Sequence, residues 1–296
     1  MPTITPSLWF DGVAAEAAEF YTGLFDDGKV TSTEYYPTDG LPEFQAQMAG
    51  KELTVSFTIG GLEVIAINAG PEFSFTPAAS FMVNFDPSSD DDARAHLDEL
   101  WAALSDGGSA LMPLGEYPFS PHYGWITDRY GLSWQLILTD PDGDPRPKVM
   151  PALMFCGPAQ NRCAEALTLY TSLFDDSRIG TDVRYDHPQG PVVAGSVMFS
   201  DLQLAGQWFV AMDSGGDQPF TFNEAFSLMV SADGQDEIDR YWAALSAVPE
   251  SEQCGWCKDE FGLSWQVVPA NLGELMSKPD SYQTMMSQKK FVIADF

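Results

Sequence analysis

The pattern of hydrophobic and polar positions alternates between a helical period and strand-like runs along the whole chain. A helical stripe at i, i+3, i+4 and i+7 is formed by Ala17, Phe20, Tyr21 and Leu24. Apolar runs predict strands near 30–36, 52–59, 62–68 and 80–85. A second helix is indicated by Leu97, Leu100, Trp101 and Leu104, which follow three aspartates that complement the helix dipole. The repeating unit is therefore a βαβββ module.

The same order of elements recurs with a period of about 145 residues, as between Leu8 and Leu153. The strongest match is the segment 124–135, which returns as 255–266 with eight of twelve positions identical. Each copy has the pattern of a strand, an Asp-x-x-Gly turn and a second strand. The sequence therefore predicts an α+β fold of four βαβββ modules with curved mixed sheets.

A segment rich in proline and aspartate separates the two copies. Residues 140–147 contain three prolines and three aspartates, a composition typical of a linker. We predict a first domain over 1–140, a linker over 141–148 and a second domain over 149–296 with a helical tail. In that tail, 271–276 and 281–288 have helical character, and 291–293 fits a final strand.

The charge balance excludes several classes of partner. The chain carries 43 acidic and 14 basic residues, a formal net charge of −29. Such a surface repels phosphates and anionic lipids, so nucleic acid and membrane partners are not expected. The N-terminus shows no signal peptide pattern, no apolar run approaches about 18 residues, and all four cysteines lie in the second half. These features predict a protein of the reducing cytoplasm.

The paired modules, each copy ending in a Gly-Leu-Ser-Trp-Gln strand, resemble the vicinal oxygen chelate superfamily. This is the fold of glyoxalase I, bleomycin-resistance proteins and extradiol dioxygenases. Within it, residues 8–12, 220–224 and 254–266 are similar to the PhnB-like group. Members of this group are often labelled 3-demethylubiquinone-9 3-methyltransferase domain proteins. The resemblance covers essentially the whole chain and implies two fused glyoxalase-like domains with cup-shaped sheets.

The resemblance also suggests where a metal would bind. In metal-using relatives, four strands of each cup present His, Gln or Glu to one divalent ion. The matching positions are Pro6, Ala66, Ser80 and Gln135 in copy one, and Pro151, Ala211, Ser227 and Gln266 in copy two. Proline and alanine cannot ligate, and serine and glutamine are weak neutral ligands. We therefore expect no metal. We also expect no other cofactor, because no Gly-rich fingerprint for S-adenosylmethionine is present.

Without a metal, each cup can still bind a small organic molecule. If Gln135 faces the cup, strand alternation places Trp134 beneath the helices. The candidate contact residues are Phe10, Asn68, Ser80, Met82, Trp125 and Gln135 in copy one, and Asp213, Ser227, Met229, Trp256 and Gln266 in copy two. The two glutamines fit a structural hydrogen bond to a neighbouring strand equally well.

Three other features offer chemistry but favour simpler interpretations. His122, beside an extra loop of copy one, fits an acid or base, yet an exposed loop histidine is the simpler prediction. Glu224 is likewise interpreted as an ordinary loop carboxylate. Cys254 and Cys257 form a C-x-x-C pattern that enters a predicted strand and not a helix N-terminus. This favours buried structural thiols over a redox or metal site.

Three classes of function remain, and the sequence leaves open whether the protein is an enzyme. The leading class is metal-free binding of a small organic molecule. The alternatives are a metal-dependent lyase, isomerase or dioxygenase, and the methyltransferase of the group label, which the missing cofactor fingerprint disfavours. We expect the duplication to form an intrachain pseudo-dimer in place of a homodimer of single domains. Whether this pseudo-dimer dimerises further stays open.

Overall fold

A computed structural model describes residues 3–296, which contain fifteen strands and six α-helices. The strands are β1 (Ile4–Phe10), β2 (Lys29–Tyr35), β3 (Glu52–Ile59), β4 (Leu62–Asn68), β5 (Ala79–Phe85), β6 (Ser109–Tyr117), β7 (Ser120–Thr127), β8 (Ser133–Leu138), β9 (Val149–Phe155), β10 (Arg178–Arg184), β11 (Val197–Leu204), β12 (Gln207–Asp213), β13 (Phe226–Ala232), β14 (Trp256–Lys258) and β15 (Ser264–Pro269). The helices are α1 (Ala14–Thr22), α2 (Ala93–Ser105), α3 (Cys163–Leu173), α4 (Gln235–Leu245), α5 (Leu272–Met276) and α6 (Ser281–Ser287). The predicted α+β order and the helical tail are confirmed.

Two details differ from the prediction. The fourth module has only β14 and β15 after its helix, because copy two is shorter there and forms a 3-10 turn at Pro249–Ser251 instead of a strand. The predicted strand at 291–293 is also wrong, since Ile293–Asp295 form a 3-10 turn. Neither difference changes the fold class.

Each sheet combines one module from each copy. Sheet A has the order β14-β15-β13-β1-β4-β3-β2, and sheet B has the order β10-β11-β12-β9-β5-β8-β7-β6. The modules are joined by the antiparallel pairs β1–β13 and β5–β9. Module one therefore pairs with module four, and module two with module three. The segment 141–148 divides the two sequence copies, whereas both sheets cross that division.

The helices α1–α4 pack on one face of each sheet, and that face is apolar. Trp134 and Trp265 are fully buried there, in contact with Tyr21 of α1 and Tyr170 of α3. Phe81 of sheet B lies 5.6 Å from Phe226 of sheet A, between ring centroids, so the two helix-bearing faces share one core. We call the opposite faces cup A, on sheet A, and cup B, on sheet B.

Among residues 3–296, no helix has the length and apolar character needed to cross a membrane.

Candidate ligand-binding cups

The turn of the repeated hairpin is organised by a buried aspartate. In copy two, Asp259 Oδ1 accepts hydrogen bonds from the backbone N–H groups of Phe261 and Leu263, at 2.9 and 3.0 Å. Its Oδ2 accepts from the Tyr170 hydroxyl at 2.6 Å and from the Trp265 indole at 2.8 Å. Burial raises the pKa of the Asp259 carboxyl, against the lowering effect of these hydrogen bonds. The aspartate thus holds the indole on the helix side, and strand alternation sends the next side chain to the cup.

Copy one repeats this turn with one hydrogen bond fewer. Asp128 accepts from the backbone of Tyr130 and Leu132 and from the Trp134 indole, at 2.8, 3.0 and 2.8 Å. The buried hydroxyl of Tyr21 lies beside this carboxylate and helps to lower its pKa, but it does not reach the hydrogen-bond geometry that Tyr170 has with Asp259. Burial also raises the pKa of Asp128. Both copies therefore use the aspartate for folding, and it is not available to a ligand.

Cup A has a floor of small hydroxyl side chains beside an amide. Ser7, Ser227 and Ser264 form a row across β1, β13 and β15. Gln266 Nε2 donates to Ser227 Oγ at 2.9 Å. Gln266 also lies directly opposite Trp256 and beside Met229 in the sheet register. The predicted residues Ser227, Met229, Trp256 and Gln266 therefore come together on this face.

Two tryptophans extend over the serine row of cup A. The ring centroids of Trp9 and Trp256 are 5.8 Å apart in an edge-to-face arrangement, and Phe73 lies 5.1 Å from Trp9. The strands that carry the two indoles are separated by β13 and β15, so their rings meet across the cup. The Trp9 indole N–H donates to the carbonyl of Gly70 at 2.7 Å. Trp9 is thus an aromatic residue of cup A that the sequence prediction missed.

An ion pair lies on the same face as Trp256. Lys258 Nζ contacts Glu224 Oε1 at 2.7 Å, and the two side chains are only 19% and 17% exposed. Glu224 is therefore a paired, largely buried group and not an ordinary loop carboxylate. The matching positions of copy one are Thr127 and Pro77, so cup B lacks this pair.

Cup B is filled by its own apolar side chains. Its centre is a cluster, separate from the main core, formed by Met82, Met150, Ala152 and Val210, with Ile137, Phe199, Trp208 and Met212 packed against it. Gln135 lies beside Met82 in the register and donates from Nε2 to Ser80 Oγ at 3.0 Å. The predicted residues Ser80, Met82, Trp125 and Gln135 lie on this face.

The two cups differ in whether their central polar groups have partners. In cup B, the Tyr123 hydroxyl donates to Gln135 Oε1 at 2.7 Å, and the Trp125 indole donates to Ser133 Oγ at 2.6 Å. In cup A, no group of residues 3–296 makes a hydrogen bond with Gln266 Oε1 or Trp256 Nε1. Cup A therefore presents a free acceptor and a free donor on two residues that lie opposite each other in the sheet register.

A single substitution explains part of this difference. Tyr123 is matched in copy two by Cys254, which immediately precedes the shared glycine of the hairpin. Cys254 has a left-handed backbone with φ of 50°, and its thiol lies 3.6 Å from the sulfur of Met286 in the tail. Its side chain is thus too short and wrongly placed to reach Gln266 as the tyrosine reaches Gln135.

Three predicted contact residues face the helices and not a cup. Phe10 packs among aromatic rings of the core. Asn68 Oδ1 accepts from the first N–H of α1 at 2.9 Å, and Asp213 Oδ1 accepts from the first N–H of α3 at 3.2 Å. Burial raises the pKa of Asp213, against the lowering effect of its backbone hydrogen bonds. Their predicted orientation is wrong, because on each of these strands the neighbouring residue faces the cup. Asn68 and Asp213 instead accept hydrogen bonds from backbone N–H groups at helix N-termini.

The same shift corrects the expected metal positions. Pro6, Ala66, Pro151 and Ala211 face the helices, and each cup draws its strands from both copies. The side chains that meet on the cup faces are Ser7, Ile65, Ser227 and Gln266 in cup A, and Ala152, Val210, Ser80 and Gln135 in cup B. Neither set contains an imidazole, thiolate or carboxylate, so these donors do not fit a divalent ion.

The remaining chemical candidates lie away from the cups. His122 is buried on β7 with its Nε2 2.6 Å from Asp98 Oδ1 of α2, so the predicted exposed loop position is wrong. All four cysteines are free thiols, and Cys156, Cys163 and Cys257 are buried. Burial raises the pKa of the Cys156 thiol to about 12, which keeps it protonated and unreactive.

The paired modules and their cups define a tandem protein of the glyoxalase fold. Glyoxalase I from Zea mays superposes with a TM-score of 0.52 at 12% identity, over 97% of each chain. A point mutant of that enzyme gives a TM-score of 0.55 at 11% identity, over 91% of this chain and 94% of that one. At these identities the similarity concerns the fold alone.

Sequence comparison narrows this class to one family. The family described as 3-demethylubiquinone-9 3-methyltransferase matches residues 2–137 and 147–268. A PhnB protein from Bacillus cereus is 37% identical, with a TM-score of 0.39 over 46% of this chain and 98% of that one. No curated protein matches. The chain belongs to the 3-demethylubiquinone-9 3-methyltransferase (PhnB-like) family, in a two-copy form.

Proposed function

We propose that this protein binds a small organic molecule in cup A without a metal. The ligand has a flat apolar body with one hydrogen-bond donor and one acceptor, as an aromatic carboxamide has. The observation that supports this most strongly is that Gln266 Oε1 and Trp256 Nε1, on residues opposite each other in the sheet register, have no hydrogen-bond partner within residues 3–296. Partly buried polar groups gain most from a partner when water is displaced.

The surroundings of this pair are those of a ligand site. Small-molecule sites are mostly apolar and contain a few placed polar groups. Trp9 and Phe73 supply flat apolar surface beside Trp256. The serine row beneath them presents small hydroxyl side chains, and the Lys258–Glu224 pair offers a further polar contact. Cup B has neither free group, and its methionine cluster occupies its centre.

Replacing Gln266 with leucine is expected to weaken binding of salicylamide, the probe we choose for this class, by about tenfold. Leucine keeps much of the volume but removes the free carbonyl. Tryptophan fluorescence titration measures the affinity. The matched control is Gln135→Leu in cup B, which is expected to leave the affinity nearly unchanged. Equal losses in the two variants, or no saturable binding by a panel of aromatic amides, would contradict the proposal.

Elemental analysis of protein purified without chelators is expected to show far less than one divalent ion per chain. The reason is the donor set at the central strand positions of both cups, which is serine, glutamine and apolar side chains, while the carboxylate of Glu224 is already paired with Lys258. A stoichiometric ion would favour a lyase, isomerase or dioxygenase instead. Calorimetry with S-adenosylmethionine tests the methyltransferase of the family description, and a micromolar affinity would favour that activity.

A further inference from the structure

A cavity of about 440 Å³ opens at the outer edge of sheet B, on strands that do not belong to cup A. The side chains and backbone that line it include Asp144, Arg146, Arg178, Ile179, Gly180 and Trp208. It joins the end of the linker to β10 and β12. Neither the fold nor the function proposed for cup A requires it.

Trp208 forms the wall of this cavity and is fixed in place. The guanidinium carbons of Arg146 and Arg178 lie 4.1 and 5.5 Å from the centroid of its ring. Gly180 of β10 lies against the ring, and a Cβ atom there would collide with Trp208 and with the Asp201 carboxylate. The absence of a side chain at Gly180 therefore allows β10 to approach and hold the indole.

The two arginines differ in what neutralises them. Arg146 Nε donates to the buried carboxylate of Asp201 at 2.9 Å. Arg178 Nε donates to the neutral Gln203 Oε1 at 2.7 Å, and no carboxylate of residues 3–296 lies within salt-bridge distance of it. Five of the seven arginines have a carboxylate within salt-bridge distance, and Arg178 does not. Its terminal N–H groups are free to bind an anion.

We propose that this cavity is a second ligand site and that its ligand is a small organic monocarboxylate with a flat apolar body. The carboxylate pairs with Arg178 in the two-point geometry that guanidinium groups favour. The apolar body lies against the indole of Trp208. Asp144 and Asp201 nearby repel additional negative charge, which favours a monoanion over inorganic phosphate. The volume is within the range of small-molecule sites.

Isothermal titration with benzoate tests this site. We expect saturable binding to the wild-type chain and an affinity about 10- to 100-fold lower in Arg178→Gln. Arg184→Gln removes the same charge from the same strand outside the cavity, and it is expected to change the affinity less than about twofold. Benzyl alcohol, the neutral analogue, is expected to bind much more weakly than benzoate. The indole N–H resonance of Trp208 is expected to shift with benzoate in ¹⁵N-labelled protein.

Three results would overturn this proposal. They are no saturable benzoate binding up to about 10 mM, unchanged affinity in Arg178→Gln, and phosphate binding as tight as that of benzoate. The Gln266→Leu variant of cup A is expected to keep full benzoate affinity. Benzoate binding and salicylamide binding thereby test the two proposed sites separately.

Discussion

Replacing Asp259 with alanine is expected to lower the free energy of unfolding by about 4 kcal/mol or more, because each of its four buried donors costs about 1–3 kcal/mol when left without a partner. The carboxylate is fully buried, so water does not replace it easily. Domains are stable by only about 5–15 kcal/mol, so this variant is expected to be close to unfolding. Denaturant titration followed by tryptophan fluorescence measures the change.

The matched control is Asp128→Ala in copy one. Asp128 accepts three hydrogen bonds where Asp259 accepts four, so its loss is expected to be smaller by about 1 kcal/mol. A larger loss at Asp128 than at Asp259 would contradict this ranking. So would a loss of less than about 1 kcal/mol at Asp259.

These two aspartates explain why the hairpin is the strongest repeat in the chain. The aspartate and the following tryptophan hold the turn, and Gly131 and Gly262 supply the left-handed backbone that it requires, each with φ of 86°. Within the repeated segment, the first tryptophan, the serine and the glutamine present polar groups to a cup in both copies. The hairpin is therefore repeated mainly because both copies need it to fold. The difference between the cups comes from residues that are not repeated, such as Tyr123 and Cys254.

The sequence predicted the modules but not which modules share a sheet. The first strand of every module is an edge that must pair with another first strand. These edges are similar in the two copies, with Pro-Ser-Leu at 6–8, Pro-Ala-Leu at 151–153 and Ser-x-Met at 80–82 and 227–229. Pairing within a copy or between copies satisfies the same backbone groups, so the pattern of apolar residues does not distinguish them.

The side facing the cup was predictable only where one face of the strand is polar. On β8, Trp134 and Gln135 differ enough to fix the orientation. On β1, six of seven residues are buried, and the cup face carries only two small hydroxyl residues, Thr5 and Ser7, beside Trp9. Burial therefore did not fix the orientation, and the prediction chose Phe10 where the structure places Trp9. The orientation of Asn68 and Asp213 was predicted wrongly for another reason. A polar residue at a strand end can accept a hydrogen bond from a helix N-terminus as readily as it can contact a ligand. Free hydrogen-bonding groups become visible only when all neighbours are placed.

Replacing Phe291 with alanine is expected to lower the free energy of unfolding by about 3–5 kcal/mol. Its ring is 1% exposed and lies against Gly255, where a Cβ atom would meet it at 2.5 Å. In copy one, the matching Gly124 receives the indole of Trp101 from α2 instead. The C-terminal tail therefore gives copy two the aromatic packing that a helix gives copy one. Thermal and denaturant unfolding measure the loss.

The same substitution is expected to loosen the rim of cup A, because the tail also holds the segment before Trp256. The backbone N–H groups of Cys254 and Gly255 donate to the carbonyls of Gln288 and Lys289, at 2.9 and 2.7 Å. In Phe291→Ala, hydrogen exchange at these two amides is expected to accelerate, and salicylamide affinity to fall. Phe296→Ala, which removes a partly exposed ring stacked on Phe291, serves as the control and is expected to leave both nearly unchanged. Unchanged exchange at residues 254 and 255 in Phe291→Ala would show that the tail does not support the cup.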